Sequence, residues 1–151
     1  MKKMIIAILC MMIVVIPFGA MAAPEFVGVT YEGNTNGLFT ILNPDSFSTT
    51  TSNSTCIVSA AGTKGSTMAV YLYDASTGMY RKINTYVNNV KQNEKVVGVS
   101  GLYAEQVLLR NGLNKILVYA QSGSSIQTKR LEVTLVSDKF GGNLKAYVMG
   151  K

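Results

Sequence analysis

Between residues 107 and 136 the chain alternates. Apolar side chains recur at every second position at Ile116, Val118 and Ala120, and again at Leu131, Val133 and Leu135. A period of two is that of a half-buried strand; a helix would bring its apolar residues round at a spacing of three or four. Residues 121–125, Gln-Ser-Gly-Ser-Ser, have the small polar composition of a hairpin loop. A tight turn at Arg110-Asn111-Gly112 precedes the first strand. Gly112 is expected to take a positive φ there without steric cost, and the Asn114 side chain to bond nearby backbone. Two long strands joined by a polar turn therefore anchor the reading, and Val70, Ile116, Val118 and Val133 are expected between two sheets.

The same punctuation runs along the rest of the chain. Residues 26–31 and 38–42 read as strands around a turn that ends in Asn36-Gly37, a strong short hairpin signal. Residues 46–55 are rich in Ser and Thr and suit an exposed β edge. An apolar strand over 56–61 leads through a Gly turn to Met68, Val70 and Leu72, which alternate with Ala69, Tyr71 and Tyr73. A weaker, more polar strand is expected over 79–87 and a short one over 95–101, and residues 102–109 lead into the long hairpin. Past 136, residues 137–143 turn again, and Leu144, Ala146 and Val148 form a last alternating run. Eight or nine short strands at intervals of roughly ten residues indicate a sandwich or barrel. No stretch beyond residue 22 carries a helical apolar stripe.

The first 22 residues read as an address. Met1-Lys2-Lys3 is a positive start, residues 5–16 are an uncharged apolar run, and Ala20-Met21-Ala22 gives an A-x-A site followed by Ala23-Pro24. That order is the order of a secretory signal peptide, with cleavage expected after Ala22. Residues 4–23 are also long enough to cross a bilayer, but Pro17 and the A-x-A favour cleavage. Cys10 lies inside the apolar run behind Leu9, which does not suit a lipoprotein signal. Cleavage leaves one domain's length of chain with Cys56 as its one cysteine, so no intrachain disulfide is available. It also removes two of the 14 Lys and Arg, leaving 12 against 8 Asp and Glu and a net charge of +4. The excess is scattered and forms no run that would suit a nucleic acid.

Chemistry is marked mainly by missing residue types. The chain has no histidine, so the commonest general base and metal ligand is absent. One cysteine does not make a zinc site, and Cys56 in a strand pattern reads as a small buried hydrophobe. The acids Glu25, Glu32, Asp45, Asp74, Glu94, Glu105, Glu132 and Asp138 stand isolated, without calcium-loop spacing. Asp74-x-Ser76-x-Gly78 reads as an Asx-type turn. No catalytic, cofactor or metal residues are therefore expected. Tyrosine is the remaining resource: Tyr71 and Tyr73 share a strand face, and Tyr119 lies on the face opposite Ile116 and Val118. These three could form an exposed row that stacks on sugars or anchors a protein, or a second buried face beneath the extra N-terminal hairpin.

Residues 59–70, Ser-Ala-Ala-Gly-Thr-Lys-Gly-Ser-Thr-Met-Ala-Val, resemble the early strands of bacterial immunoglobulin-like domains. Val107, Leu109, Gly112, Asn114, Ile116, Val118 and Ala120 are similar in spacing to their penultimate strand, and residues 128–136 to their closing strand. The resemblance spans about 46–137 and consists of turn glycines and alternation. It implies an all-β immunoglobulin-like sandwich with a spacer, adhesion or interaction role at the cell surface. Two additions depart from it: a hairpin over 26–42 and a strand over 144–149. The expected organisation is a signal peptide over 1–22, an N-terminal β-hairpin extension over 23–45 and an Ig-like domain over 46–151. The final strand is expected to pair beside residues 131–136. The expected function is an exported, non-enzymatic module that binds a protein or cell-wall polysaccharide at the envelope, without cofactor or nucleic acid and meeting the membrane only through its signal peptide. A carbohydrate-binding domain and a secreted hydrolase or inhibitor are the alternatives.

Overall fold

A computed structural model describes residues 22–31, 37–87, 90–92 and 94–136. Twelve strands are present among these residues: β1 Phe26–Val27, β2 Phe39–Asn43, β3 Ser48–Thr51, β4 Thr55–Gly62, β5 Thr67–Asp74, β6 Met79–Lys82, β7 Thr85–Val87, β8 Val90–Gln92, β9 Lys95–Val96, β10 Leu102–Leu108, β11 Gly112–Ser122 and β12 Ser125–Leu135. One 3-10 turn, Val29–Tyr31, follows β1. The larger sheet has the order β1-β6-β5-β11-β12-β3, with β9 also paired to β5. A three-stranded sheet has the order β10-β4-β2, and β7 pairs with β8 separately. The molecule is an all-β sandwich of the first two sheets.

The organising hairpin forms as the alternation indicates. β11 and β12 run antiparallel from Gly112↔Leu135 to Ser122↔Ser125, around Gly123 and Ser124. Gly123 has φ +58° and Gly112 has φ +88°, conformations that cost an L side chain strain. Ile116, Val118 and Ala120 of β11 pair with Leu72, Val70 and Met68 of β5 on the other side. That face meets Phe39, Val58, Ala60, Tyr103 and Val107 of the smaller sheet in one apolar core. Val70, Ile116, Val118 and Val133 are fully buried there. At about 25 cal/mol per Å² of apolar surface, this core is the largest favourable contribution to the fold.

β11 departs from the half-buried expectation. Every side chain from Ile116 to Gln121 is buried. The second face, with Leu117 and Tyr119, packs with Ala69, Tyr71 and Tyr80 under Ala23 and Val27 in a second apolar cluster. The N-terminal segment thus lies over the back of the larger sheet and gives the molecule a second, smaller core.

The N-terminal hairpin expected over 26–42 does not form. β1 pairs with β6, Phe26↔Arg81 and Val27↔Tyr80. β2 pairs with β4 in the other sheet, from Phe39↔Gly62 to Asn43↔Ser59. The local Asn-Gly signal loses because each strand has an apolar residue to bury and a different sheet edge to bury it against: Val27 goes to the back of the larger sheet and Phe39 into the sandwich core. Strand length is also shorter than the pattern indicated at two places: Val29–Tyr31 is a 3-10 turn, and β9 stops at Val96 before a turn at 99–100. The run 144–149 lies outside the described residues. Over Glu132–Leu135 the edge of β12 where it was expected is occupied by β3, which pairs there in parallel from Glu132↔Ser48 to Leu135↔Thr51. The Ser/Thr-rich segment is therefore an edge strand, as its composition indicated.

Candidate interaction surface

The three tyrosines singled out from the sequence do share a face. Tyr71 and Tyr119 meet with ring centroids 5.9 Å apart, and Tyr73 stands edge-on to Tyr80 at 5.4 Å. The face is not open. Tyr71 and Tyr119 are buried and Tyr73 is half-buried. The Tyr71 hydroxyl donates to the Pro24 carbonyl at 2.6 Å, and the Tyr119 hydroxyl to the Gln121 side-chain oxygen at 2.8 Å. Burial raises both phenols above the ordinary range; for Tyr71 the neighbouring Tyr119, Glu94 and Glu25 add to it. The expected tyrosine surface is thus corrected at Tyr71 and Tyr119 to a covered face, because residues 23–31 lie across it, while Tyr73 stays half-exposed with Lys115 Nζ 5.3 Å from its ring centre. What stays accessible there is a cleft of about 170 Å³ between Pro24, Phe26, Val27, Tyr31, Tyr119 and Ile126.

Basic and acidic groups that stand apart in the sequence are paired in the fold. Lys82, with its side chain almost wholly buried, meets Glu94 at 2.9 Å. Lys95 meets Glu105 at 2.8 Å, and Glu105 occupies a buried position of β10 between Tyr103 and Val107. Asp74 accepts from the Ser76 hydroxyl and amide, and those bonds hold its carboxyl below the usual range. The Asx-type turn over 74–78 is therefore present. Among the described residues no three His, Cys, Asp or Glu side chains gather as a metal site would require. Cys56 is half-buried on the core side of β4, and burial pushes its thiol up, which disfavours the nucleophilic thiolate.

One open face stands out by its lack of charge. The outer side of the smaller sheet carries Leu102, Ala104, Gln106 and Leu108 from β10, Thr55, Ile57, Ser59 and Ala61 from β4, and Thr40 and Leu42 from β2. Cross-strand neighbours are Leu102↔Ala61, Ala104↔Ser59, Gln106↔Ile57 and Leu108↔Thr55. None of these side chains is charged or aromatic, in a chain with 14 Lys and Arg. Leu42, Ile57, Leu102 and Leu108 are 49, 57, 63 and 73 % exposed. The sequence reading missed this face because single exposed leucines are ordinary. The signal lies in the positions between the buried ones: on β4 and β10 they are small, apolar or amide residues where a solvated sheet face would carry Lys and Glu.

The chain matches no protein-family model, and no curated protein is detectably similar to it.

Proposed function

We propose that the protein is an exported immunoglobulin-like module that binds another protein through the outer face of its smaller sheet. The observation that carries the reading is that uncharged face, with four large aliphatic side chains in solvent. Three strands of about seven residues present roughly 350 Å² of flat surface at ordinary strand spacings. A stable interface needs about 800 Å² per partner, so the contact belongs to the weak, transient class unless flanking loops add to it. A protein with its own uncharged apolar patch is the partner this chemistry fits. An anionic wall polymer would be met by cations, and a sugar by aromatic rings, and this face has neither.

The immunoglobulin-like assignment is supported by strand order. β4 and β10 pair in one sheet, β5, β11 and β12 lie side by side in the other, and the chain passes from the smaller sheet to the larger after β2, β4 and β10. That order corresponds to strands B and E against C, F and G of the immunoglobulin architecture. β2 and β3 would then be a first strand divided between the two sheets. Export is supported by the ordered features of residues 1–22.

The test is a comparison of the processed protein with a variant carrying Ile57→Lys and Leu108→Lys, both immobilised against envelope proteins and against wall polysaccharide. Both positions are exposed, so the fold should tolerate the changes to within about 0.5 kcal/mol each. Protein capture by the wild type that the variant loses supports the reading. Equal capture by both, or capture of polysaccharide alone, overturns it. Sedimentation of the wild type alone shows whether the partner is a second copy.

A further inference from the structure

A cluster of polar contacts among the described residues is built around a single backbone position, Ala23. This residue is buried, although Ala22 before it is exposed. Its N–H donates to Glu94 Oε2 at 2.9 Å. The same carboxylate oxygen takes Lys82 Nζ at 2.9 Å, and Lys82 Nζ also donates to the Ala23 carbonyl. One residue on, the Pro24 carbonyl takes the Tyr71 hydroxyl at 2.6 Å. The Lys82 N–H then donates to the Glu25 carbonyl at 3.0 Å, and β1 begins. Side chains from β5, β6 and the residue before β9 thus converge on two successive main-chain units at the start of the strap.

A neutral amide N–H asks only for a neutral acceptor such as a carbonyl. Here it faces a carboxylate that is already satisfied in charge by a buried lysine. We propose that this is the docking site of the mature amino terminus: cleavage between Ala22 and Ala23 turns the Ala23 nitrogen into an ammonium that pairs with Glu94 and clips the N-terminal strap over the tyrosine face. The proposal rests on the export reading of residues 1–22. A peptidase adds water across the Ala22–Ala23 bond. The water oxygen goes to the Ala22 carboxylate, and the C–N bond breaks. The Ala23 nitrogen departs as an amine that is mostly protonated at neutral pH. A hydrogen bond from a neutral amide to a carboxylate becomes an ion pair between two charged groups, already at the right separation. Cleavage precedes docking, since the folded strap buries the bond's Ala23 side.

The geometry also selects the residue. A strand advances about 3.3 Å per residue, so a terminus one residue longer or shorter would carry its charge past the 2.9 Å separation that Ala23 has from Glu94. Mature chains with a different first residue would keep the fold and lose the ammonium–carboxylate pair.

Three measurements test this. The first is N-terminal sequencing of the exported protein, with Ala23 expected first; another first residue overturns the processing step on which the clip depends. The second compares the thermal midpoint of the Ala23-start protein with one extended by a single glycine, each with and without Glu94→Gln. The extension should lower the midpoint by about 3 to 6 °C in the wild type and by nothing in Glu94→Gln. No loss in the wild type, or an equal loss in both, overturns the ammonium pairing while leaving the export reading intact. The third, on the wild type alone, stands even if Glu94→Gln does not fold. Titration of the Ala23 α-amine by NMR should give a proton affinity above the ordinary α-amino value of about 7.7 to 8.0, the direct contact with Glu94 outweighing the like charge of Lys82 on the same carboxylate; the ordinary value or a lower one overturns the pairing.

Discussion

The Gln127 side-chain amide bonds both main-chain groups of Phe39, accepting from its N–H and donating to its carbonyl, each at 2.9 Å. The two residues lie in different sheets: Gln127 faces inward from β12, and Phe39 opens β2. One side chain therefore does for β2 what a neighbouring strand would do, and it ties the two layers together along one side of the sandwich.

The bond pair leads to a first prediction. Gln127→Leu keeps the volume and removes both partners from the Phe39 backbone groups. A buried donor or acceptor left unsatisfied costs about 1–3 kcal/mol, so the variant should lose about 2–4 kcal/mol of unfolding free energy in urea. Hydrogen exchange at the Phe39 amide should rise at the same time. An unchanged Phe39 exchange rate would show that β2 is held without Gln127.

Lys95 closes the opposite side. From β9 it donates to the Ala104 carbonyl at 2.9 Å on the edge of β10, and its amine pairs with the buried Glu105. Tyr103 lies beneath the same amine at 5.8 Å from its ring centre. Lys95→Met should cost about 1–3 kcal/mol, below the range for a fully buried pair because the lysine side chain is 39 % exposed. Adding Glu105→Gln should recover part of that loss. A double-mutant cycle with zero coupling would contradict the pairing.

Asn114 anchors the turn before β11. Its side-chain oxygen accepts from the Arg110 N–H at 2.8 Å, and its amide donates towards the carbonyls of Arg110, Gly112 and Val133 at 2.7, 2.9 and 3.2 Å. Asn114→Asp presents a carboxylate to those carbonyls and should destabilise more than Asn114→Ala, itself about 1–3 kcal/mol. Gly112→Ala should cost about 1–2 kcal/mol through φ alone, since nothing lies within 4 Å of the added methyl. Chemical denaturation of the three variants gives the order.

Alkaline stability follows from the buried phenols. Burial pushes Tyr103 up from an ordinary value of 10.0, with Glu105 adding to it, and burial does the same to Tyr71. Below pH 10 both states hold the proton and these groups leave stability unchanged. Above it the unfolded chain releases protons that the folded chain keeps, so stability falls as pH rises. The thermal midpoint should drop steeply above about pH 10, and Tyr103→Phe should shallow that drop. Tyrosinate absorbance should show a group of tyrosines that titrates only on unfolding.

Much of the fold was legible residue by residue. Alternation marked β5, β11 and β12, and small polar residues marked the turn at Gly123. Gly112 and Asn114 take the backbone and side-chain roles their types indicate. These features are local, set by strand period and turn chemistry within a few residues. The tyrosine face was legible as a shared face, because period two places Tyr71 and Tyr73 on one side wherever the strand lies.

What covers a face and which edge a strand joins are not local. Residues 26–42 carry a good hairpin signal, yet β1 and β2 go to different sheets because two edges elsewhere offered each a place to bury its apolar residue. The same alternation describes a strand with one buried face or two, so only the fold shows that β11 is buried on both. Lys82, Glu94 and Ala23 lie 12 and 71 residues from one another along the chain where their bonds are counted, and no spacing rule joins them. The sequence alone determined the alternation of β5, β11 and β12 and the turns at Gly112 and Gly123. Tertiary structure decided the edges, the covers and the charged contacts, because those depend on which surfaces meet once the whole chain has collapsed.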